Sequence, residues 1–190
     1  AVVSAGADAL GLMFVESSQR CVSPDQARNI AEQTRGSLLR VGVFADPTPQ
    51  CVEQVLGQVG LDVLQFHGSE TRTQCESWGL PYIKAVRMRG ALDWAQVEAA
   101  HPQACCFLLD TYHPDALGGT GERFDLSLWP QDARARLVLA GGLDADNVGA
   151  AIAQTRPYAV DVSGGVEGPT RGIKSASRIS EFVHAVRQMG

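Results

Sequence analysis

Short apolar runs alternate with amphipathic stretches along the whole chain. Each run is short enough to be a buried strand, and the recurrence of such runs is the main structural signal in the sequence. Seven strands are predicted in this way, at residues 8–14, 38–44, 63–68, 82–88, 105–110, 137–142 and 159–165.

The stretches between these runs have the apolar period of helices. Val52, Val55, Leu56 and Val59 follow positions i, i+3, i+4 and i+7, and the same period returns within residues 179–186. Both stretches are predicted to be helices with one buried face.

Start signals accompany several predicted helices. Residues 23–26 (SPDQ) offer an N-cap Ser, a Pro at the first helical position and a Gln three residues after the cap. Asp144 or Asp146 is expected to cap the helix that runs through Ile152. The result is a repeated βα pattern, which implies parallel strands with right-handed crossovers.

Two architectures suit this repeat: an open doubly wound sheet and a (β/α)8 barrel. The barrel is favoured because polar or glycine-rich clusters follow the strand ends, where barrels gather their active-site loops. Seven strands would leave two exposed edges, so we expect the first strand to precede residue 1. Residues 1–5 then end the first helix, with Gly6 as its left-handed stop. The expected fold is a single α/β barrel domain over residues 1–190, incomplete at its N-terminus.

Composition and charge limit the kinds of molecule that the protein is expected to bind. The formal charge is −5, and Lys and Arg are scattered, which disfavours nucleic acid and anionic membranes as partners. No apolar run approaches the ~18 to 20 residues of a bilayer span, and the basic start of a signal peptide is absent. We therefore expect small-molecule ligands and a cytoplasmic location.

The five cysteines are interpreted as reduced thiols. Their number is odd and they lack CxxC or Cys/His spacing, so no metal site is expected. Cys105 and Cys106 are neighbours in a predicted strand, where adjacent side chains point to opposite faces. That alternation argues against both binding one metal.

Asp110 ends an otherwise apolar predicted strand. At the mouth of a barrel site, partial desolvation would raise the pKa of its carboxyl and permit general acid catalysis near neutral pH. A helix cap or a loop-ordering carboxylate is an equal alternative from position alone. Gly118, Gly119 and Gly121 follow in the next loop, where they allow either close approach to a ligand or ordinary turns.

Two glycine clusters end consecutive predicted strands. Gly141 and Gly142 form the first cluster, and Ser163, Gly164 and Gly165 form the second. In the expected barrel they follow strands seven and eight, where backbone N–H groups and a short helix N-terminus frequently bind phosphate. The alternative is that each cluster only forms a tight turn. Tight turns explain a single glycine cluster better than they explain two clusters at consecutive strand ends. The pair predicts a phosphate site.

Three further polar residues have both functional and structural interpretations. Asp161 lies inside an apolar run, on the same predicted face as Ser163, and needs either a structural partner or a polar ligand such as a sugar hydroxyl. His67 shares a strand face with Gln65 and is more often structural in such a place. Arg20 follows the predicted strand at residues 8–14, where it either holds a carboxylate or is solvated.

Nine segments of the chain, taken in order, resemble the phosphoribosylanthranilate isomerase family: GADALGLMF, SSQRCVSP, RVGVF, LQFHGSE, IKAV, LLDT, GGTGERFD, LAGGLDADNV and VDVSGGVEG. The resemblance covers essentially the whole chain and implies a (β/α)8 barrel. It implies an Amadori rearrangement of N-(5'-phosphoribosyl)anthranilate to the 1-deoxyribulose phosphate, in tryptophan biosynthesis, without metal or organic cofactor.

The resemblance also assigns roles to individual residues. The family's general acid falls on Asp110, its anthranilate-binding arginine on Arg20 and its sugar-contacting aspartate on Asp161. His67 is included among the expected substrate-binding residues. The phosphate-binding segments fall on Gly141, Gly142, Ser163, Gly164 and Gly165.

The family's general base is a cysteine on the first strand, in a segment that the present sequence does not contain. Cys21 is the cysteine nearest in sequence to an expected site residue, but it does not match that position. By this pattern the 190-residue chain is expected to bind substrate and supply the acid without completing the reaction.

Two other interpretations stay open at this stage. One is another phosphate-sugar barrel enzyme, such as a ribulose-phosphate epimerase with metal-ligating His and Asp residues, or an indole-glycerol-phosphate synthase. The other is a non-catalytic scaffold that binds a phosphorylated ligand. The sequence leaves the assembly as monomer or homodimer.

Overall fold

The computed structural model describes residues 1–111 and 124–190, which form a parallel sheet with helices between its strands. The strands pair in chain order, each with the next. They are β1 (Ala9–Met13), β2 (Leu39–Phe44), β3 (Val63–Phe66), β4 (Tyr82–Met88), β5 (Ala104–Thr111), β6 (Leu137–Leu139) and β7 (Ala159–Val160). The seven strands predicted from the apolar runs are therefore confirmed.

Helices follow or precede these strands as the repeat predicts. They are α1 (Val2–Ala5), α2 (Pro24–Thr34), α3 (Pro49–Gln58), α4 (Arg72–Glu76), α5 (Trp94–Ala100), α6 (Val148–Thr155) and α7 (Ala176–Arg187), with short 3-10 turns at Leu126–Leu128 and Gly164–Val166. None of the helices in the two described ranges combines the length and apolar character that a bilayer span requires.

The two faces of the sheet bury different sets of side chains. One face packs against the helices through large residues such as Phe44, Phe66 and Leu109. The other encloses smaller residues that alternate with them along the strands, in an inner cluster of Ile83, Ala85, Cys106, Leu108, Val138 and Ala140. Parallel strands with helices outside and an apolar interior are the arrangement of a (β/α) barrel, as predicted.

Helix starts agree with the sequence in one place and differ in another. Ser23 and Gln26 form a reciprocal capping box at the start of α2, as the SPDQ segment predicts. The residue before α6 is Asn147, and its side chain makes no cap hydrogen bond. Asp144 instead accepts from the N–H groups of Asp146 and Asn147, so it stabilises the turn that leads into the helix.

The N-terminal residues also behave as predicted. Helix α1 ends at Gly6, which has a φ of 79° and returns its N–H to the helix carbonyls. Val2 and Ala5 pack against the same outer cluster as Phe182 of α7, and Arg187 donates to the Gly6 carbonyl. This helix turn is therefore part of the outer layer.

The last two strands are shorter than predicted. β6 stops at Leu139 because Gly141 and Gly142 take φ values of 91° and 62°, which no extended strand contains. β7 stops at Val160, and the chain turns into the 3-10 segment Gly164–Val166. The regular strand ends at Val160, although the Asp161 N–H still donates to the Leu139 carbonyl, so the shared face of Asp161 and Ser163 stays a prediction.

β5 carries an irregularity at its start. Tyr82 pairs with Ala104 and Ile83 with Cys106, so Cys105 is an extra residue opposite β4. The Sγ atoms of Cys105 and Cys106 lie 4.0 Å apart. The expectation that a regular strand separates these two side chains was therefore wrong, because a bulge interrupts the alternation.

Candidate active site

Asp110 lies at the C-terminal end of β5, on the inner face of the sheet. It follows Leu108 of the inner cluster by two residues, so both side chains point into the barrel. Its side chain is buried, and Oδ1 accepts a hydrogen bond from the Thr111 N–H at 2.8 Å. The sequence placed this carboxylate correctly at the mouth of the barrel.

The environment of Asp110 favours its neutral form. Burial is the main cause, and the charge of Asp161 adds to it, while the Thr111 N–H and Arg87 act in the opposite direction. The net effect raises the pKa of Asp110 to about 6. A carboxylic acid with that pKa can hold a proton close to neutral pH and donate it.

Arg87 is a neighbour of Asp110 that the sequence analysis missed. The two residues are direct register partners on β4 and β5, and Arg87 follows Ala85 of the inner cluster by two residues. Its charge lowers the pKa of Asp110 and also that of His67. Within a run as apolar as YIKAVRM, only the two-residue alternation could have pointed to it.

The first glycine cluster lies directly against Asp110. A side chain at Gly141 would collide with the Thr111 hydroxyl, and its Cβ would lie 3.2 Å from Asp110 Oδ1. Gly141 also has a φ of 91°, so both space and backbone angle require glycine. The Gly142 carbonyl accepts from Asn147 Nδ2 at 2.9 Å, which fixes the loop to the start of α6.

The second glycine cluster packs onto the loop that carries the first. A Cβ at Gly165 would collide with the carbonyl oxygen of Leu143. Within residues 1–111 and 124–190, the backbone N–H groups of Gly142, Ser163 and Gly164 donate no hydrogen bond. The structure therefore brings the two predicted clusters together and leaves N–H groups that can bind an anion.

Asp161 follows β7, and its N–H continues the ladder by donating to the Leu139 carbonyl. Part of its side chain is exposed to solvent, but neighbouring protein atoms partly desolvate the carboxylate. This desolvation raises the pKa of Asp161, and the positive charge of Lys174 opposes the rise. The described residues give its carboxylate no hydrogen-bond donor, so it can accept one from a ligand.

Arg20 lies on the loop after β1, but its carboxylate partner belongs to the protein itself. Arg20 Nε donates to Glu167 Oε1 at 2.6 Å, and Nη2 donates to Oε2 at 3.1 Å. Lys174 Nζ donates to the same Oε1 at 3.1 Å and to the Ser163 carbonyl at 2.8 Å. Arg20 and Lys174 thus both bind the Glu167 carboxylate at the rim of the barrel. Lys174 also connects this ion pair to Ser163 of the second glycine cluster.

Glu167 and Lys174 were both missed by the sequence analysis. Glu167 is separated from Arg20 by 147 positions, so local spacing offers no sign of the pair. Burial on its own would raise the pKa of Glu167, but hydrogen bonds from Arg20 and Lys174 hold it at about 2. Glu167 is therefore a fixed negative charge that orients Arg20.

His67 faces inward from the end of β3 beside Gln65, as the sequence predicted. Its Nε2 lies 2.7 Å from Gln65 Oε1, so Nε2 carries the proton and Nδ1 is left as an acceptor. Burial and the charges of Lys84 and Arg87 lower the pKa of His67 to about 4. The ring is neutral at physiological pH.

The remaining sequence candidates lie elsewhere. Gly118, Gly119 and Gly121 are outside the described residues. Cys21 is exposed on the loop after β1, and burial together with the charge of Glu16 raises the pKa of its thiol. A raised pKa leaves little Cys21 in the thiolate form near neutral pH.

Two other features of the surface do not coincide with these residues. Across the two described ranges, no group of three or more His, Cys, Asp and Glu side chains is arranged to hold a metal ion. A cavity of about 580 Å³ lies near Trp129, Leu137 and Tyr158, at the N-terminal end of β6 and β7. The polar groups described above converge at the other end of the strands.

The family comparison and the curated relatives point to one family. The family model described as N-(5'phosphoribosyl)anthranilate (PRA) isomerase matches residues 1–185. N-(5'-phosphoribosyl)anthranilate isomerase of Pseudomonas fluorescens strain Pf0-1 is 48% identical over 187 residues, covering 98% of this chain and 91% of the relative. The Cellvibrio japonicus isomerase is 49% identical, with 99% and 87% coverage.

Solved structures give the same result at the level of the fold. Phosphoribosyl anthranilate isomerase of Thermotoga maritima is 37% identical, with a TM-score of 0.87 over 98% of this chain and 91% of that one. Another isomerase structure, in complex with reduced 1-(o-carboxyphenylamino)-1-deoxyribulose 5-phosphate, is 34% identical with a TM-score of 0.83 over 98% and 91% of the two chains. The chain therefore belongs to the N-(5'-phosphoribosyl)anthranilate isomerase family.

Proposed function

We propose that the protein is an N-(5'-phosphoribosyl)anthranilate isomerase of tryptophan biosynthesis. It would convert its substrate to 1-(2-carboxyphenylamino)-1-deoxyribulose 5-phosphate by an intramolecular aldose–ketose rearrangement. The observation that carries the proposal is the position of Asp110. Its buried carboxyl, with a pKa raised to about 6, lies against the first glycine loop at the mouth of the barrel.

Asp110 is proposed as the general acid. In its protonated form it donates to the ribose ring oxygen, which opens the ring and leaves a Schiff base to the aromatic nitrogen. With a pKa of about 6, roughly one molecule in ten carries this proton at pH 7. Loss of the C2' proton then gives an enolamine that becomes the ketone, and we assign that proton removal to no residue of this chain.

The substrate phosphate is proposed to bind at the two glycine loops. The N–H groups of Gly142, Ser163 and Gly164 provide the donors, and Lys174 adds a nearby positive charge through its contact with Ser163. Asp161 is proposed to accept a hydrogen bond from a sugar hydroxyl. His67 is proposed to accept one through the free Nδ1 of its neutral ring.

Arg20 is proposed to bind the anthranilate carboxylate without leaving Glu167. A guanidinium group has five N–H donors, and Glu167 occupies two of them. The remaining donors stay available to a ligand, while the ion pair holds the plane of the guanidinium fixed. Glu167 would therefore act as a positioning residue for Arg20.

A phosphorylated small molecule as substrate agrees with the family and with the ligand of the related complex. We propose a cytoplasmic location, since a phosphate ester does not cross a membrane unaided. One solved relative is a set of monomers generated from the dimeric Thermotoga maritima enzyme. For this chain, the oligomeric state is still predicted to be either a monomer or a homodimer.

The proposal is tested with a full-length version of the protein, which includes the first strand and its cysteine base expected from the family pattern, and with the Asp110→Asn variant of that version. We expect conversion of N-(5'-phosphoribosyl)anthranilate by the wild type and a loss of about 10²- to 10⁴-fold in kcat for the variant, which cannot donate the proton. Binding of the reduced product analogue, measured by calorimetry, should be retained because Asn keeps the shape of the side chain.

Asp146→Asn is the matched control, since Asp146 is an exposed carboxylate at the same end of the barrel. It should leave both turnover and binding unchanged. Wild-type turnover in Asp110→Asn would refute the assignment of the acid. Analogue binding without any isomerisation by the full-length protein would refute the enzyme and favour a phosphate-binding scaffold.

A further inference from the structure

Cys105 and Cys106 form a thiol pair at the start of β5, at the opposite end of the strand from Asp110. The pair exists because Cys105 is the extra residue of the bulge, with no register partner on β4. In a regular strand the two side chains would point to opposite faces. The bulge instead leaves the two sulfur atoms 4.0 Å apart, within hydrogen-bond distance for sulfur.

The two thiols have different surroundings. Cys106 is buried in the inner cluster beside Ala85, Leu108 and Val138, whereas Cys105 is exposed. The hydrogen bond therefore runs between an enclosed thiol and an accessible one. Only Cys105 can meet a reagent from solution.

Arg136 supplies a positive charge to this end of the barrel. It stands immediately before β6, and its carbonyl accepts from the Phe107 N–H at 2.9 Å. Its guanidinium Cζ lies 4.8 Å from the centre of the Tyr158 ring, and this stacking fixes its direction. The charge of Arg136 favours the thiolate form of both cysteines.

These groups make the two thiols unequal as acids. The hydrogen bond from Cys106 lowers the pKa of Cys105, burial opposes this, and nearby backbone N–H groups and Arg136 add to the lowering, giving a pKa of about 7. The same hydrogen bond raises the pKa of Cys106. Elsewhere, burial raises the pKa of Cys21 and brings that of Cys75 to about 11.

We propose that Cys105 is a covalent modification site for small disulfide compounds such as oxidised glutathione, with the neighbouring Cys106 thiol as the hydrogen-bond donor that positions and activates it. The Cys105 thiolate attacks one sulfur of the disulfide, and a new S–S bond forms as the old one breaks. The leaving glutathione thiolate then takes a proton from water. One disulfide is consumed and one thiol released, so the exchange needs no other oxidant.

The mixed disulfide is the end product of this exchange. A ring between Cys105 and Cys106 would join Cα atoms about 3.8 Å apart across a trans peptide, whereas disulfides favour ~4.4 to 6.8 Å. The strain of such a ring makes it easy to reduce. Released glutathione therefore favours the open adduct on Cys105.

The experiment compares Cys105 with Cys21, since both are exposed thiols of the same protein. The full-length protein is incubated with oxidised glutathione at pH 7, and modified peptides are quantified by mass spectrometry over time. We expect Cys105 to react roughly five- to tenfold faster than Cys21, because its larger thiolate fraction outweighs its lower intrinsic nucleophilicity. Equal rates at the two positions would overturn the proposal.

Two variants separate the role of Cys106 from general reactivity. In Cys106→Ala, the rate at Cys105 should fall to that of Cys21, and the pH midpoint of its alkylation by iodoacetamide should rise from about 7 towards about 8.5. Cys106→Ser keeps a donor and should restore both readouts. An unchanged rate and midpoint in a Cys106→Ala protein with wild-type circular dichroism would refute activation by Cys106. If that variant does not fold, a wild-type midpoint near 8.5 would still refute the proposal.

Discussion

Asp110 inside the barrel mouth and Glu167 on its rim are buried to nearly the same extent, with 7% and 6% of their surfaces exposed. Their pKa values nevertheless shift in opposite directions, to about 6 for Asp110 and about 2 for Glu167. Burial raises the pKa of both carboxyls. The difference therefore comes from the groups around them.

Partners account for the contrast. Glu167 accepts hydrogen bonds from two cations, Arg20 and Lys174, which more than offset the cost of burying its charge. Asp110 accepts a backbone N–H and has Arg87 as a register partner, but it also experiences the negative charge of Asp161. One site holds a permanent charge and the other holds a proton that can be donated.

The largest expected effect comes from removing the carboxylate on the rim. Glu167→Gln leaves the mostly buried Arg20 without its counter-charge, while Lys174 is exposed to solvent. The free energy of unfolding should therefore fall by about 3 kcal/mol, the lower end of the range for breaking a buried ion pair. Urea denaturation at pH 7 measures this change. The Glu167→Gln substitution should also weaken binding of the reduced product analogue, because Arg20 loses its orientation.

A matched ion pair on the surface provides the control. Arg72 and Glu76 of α4 are one turn apart, with the Arg72 side chain 53% exposed. Arg72→Gln should therefore lower stability by only ~0.5 kcal/mol or less. If Glu167→Gln lowered the free energy of unfolding by no more than Arg72→Gln does, the ion pair on the rim would be no stronger than a surface pair.

The second effect is an opposite pH dependence of stability. The pKa of Asp110 is raised on folding, so its contribution is complete below about pH 4 and is lost as pH rises through about 6. The pKa of Glu167 is lowered, so its contribution is complete above about pH 4.5 and is lost as pH falls towards 2. Each shift of about two pKa units corresponds to about 3 kcal/mol.

Urea unfolding over a pH series checks these signs by difference from the wild type. Asp110→Asn should flatten the decline in stability between about pH 4 and 6, whereas Glu167→Gln should flatten the loss below about pH 4.5. The two variants affect separate pH windows. Identical pH profiles for Asp110→Asn and wild type would contradict the raised pKa of Asp110.

The smallest expected effect concerns Asp110, the carboxyl inside the barrel mouth. Arg87→Gln removes a positive charge that lowers the pKa of Asp110, so this pKa should rise further above 6, by about half a unit for a partly solvated pair. The decline of kcat/KM at high pH should move upward by the same amount, because the acid keeps its proton longer. Arg72→Gln should leave that decline in place, because Arg72 is not among the charges that shift the pKa of Asp110.

The sequence was sufficient for features that depend on local order. Apolar runs located the seven strands, SPDQ located the start of α2, and the polar end of CCFLLD placed Asp110 at the barrel mouth. Each of these signals lies within a few residues of the feature it predicts. Family resemblance then assigned Arg20 and Asp161 roles that their positions alone left open.

Features that depend on distant contacts or on broken regularity were not predictable in this way. The partner of Arg20 lies 147 residues away, and Arg87 meets Asp110 only through strand register. The bulge at Cys105 violates the two-residue alternation on which the strand predictions relied, and β7 ends earlier than its apolar run. Such irregularities depend on packing between neighbouring strands and loops, which a single sequence does not display.

A carbon-13 NMR titration of the side-chain carboxyls tests the contrast between Asp110 and Glu167, with Asp110→Asn and Glu167→Gln used to assign the two signals. We expect a midpoint of about 6 for Asp110 and about 2 for Glu167 in the same protein. Midpoints near 4 for both, the usual range of exposed carboxyls, would contradict this contrast, as would a reversal of their order.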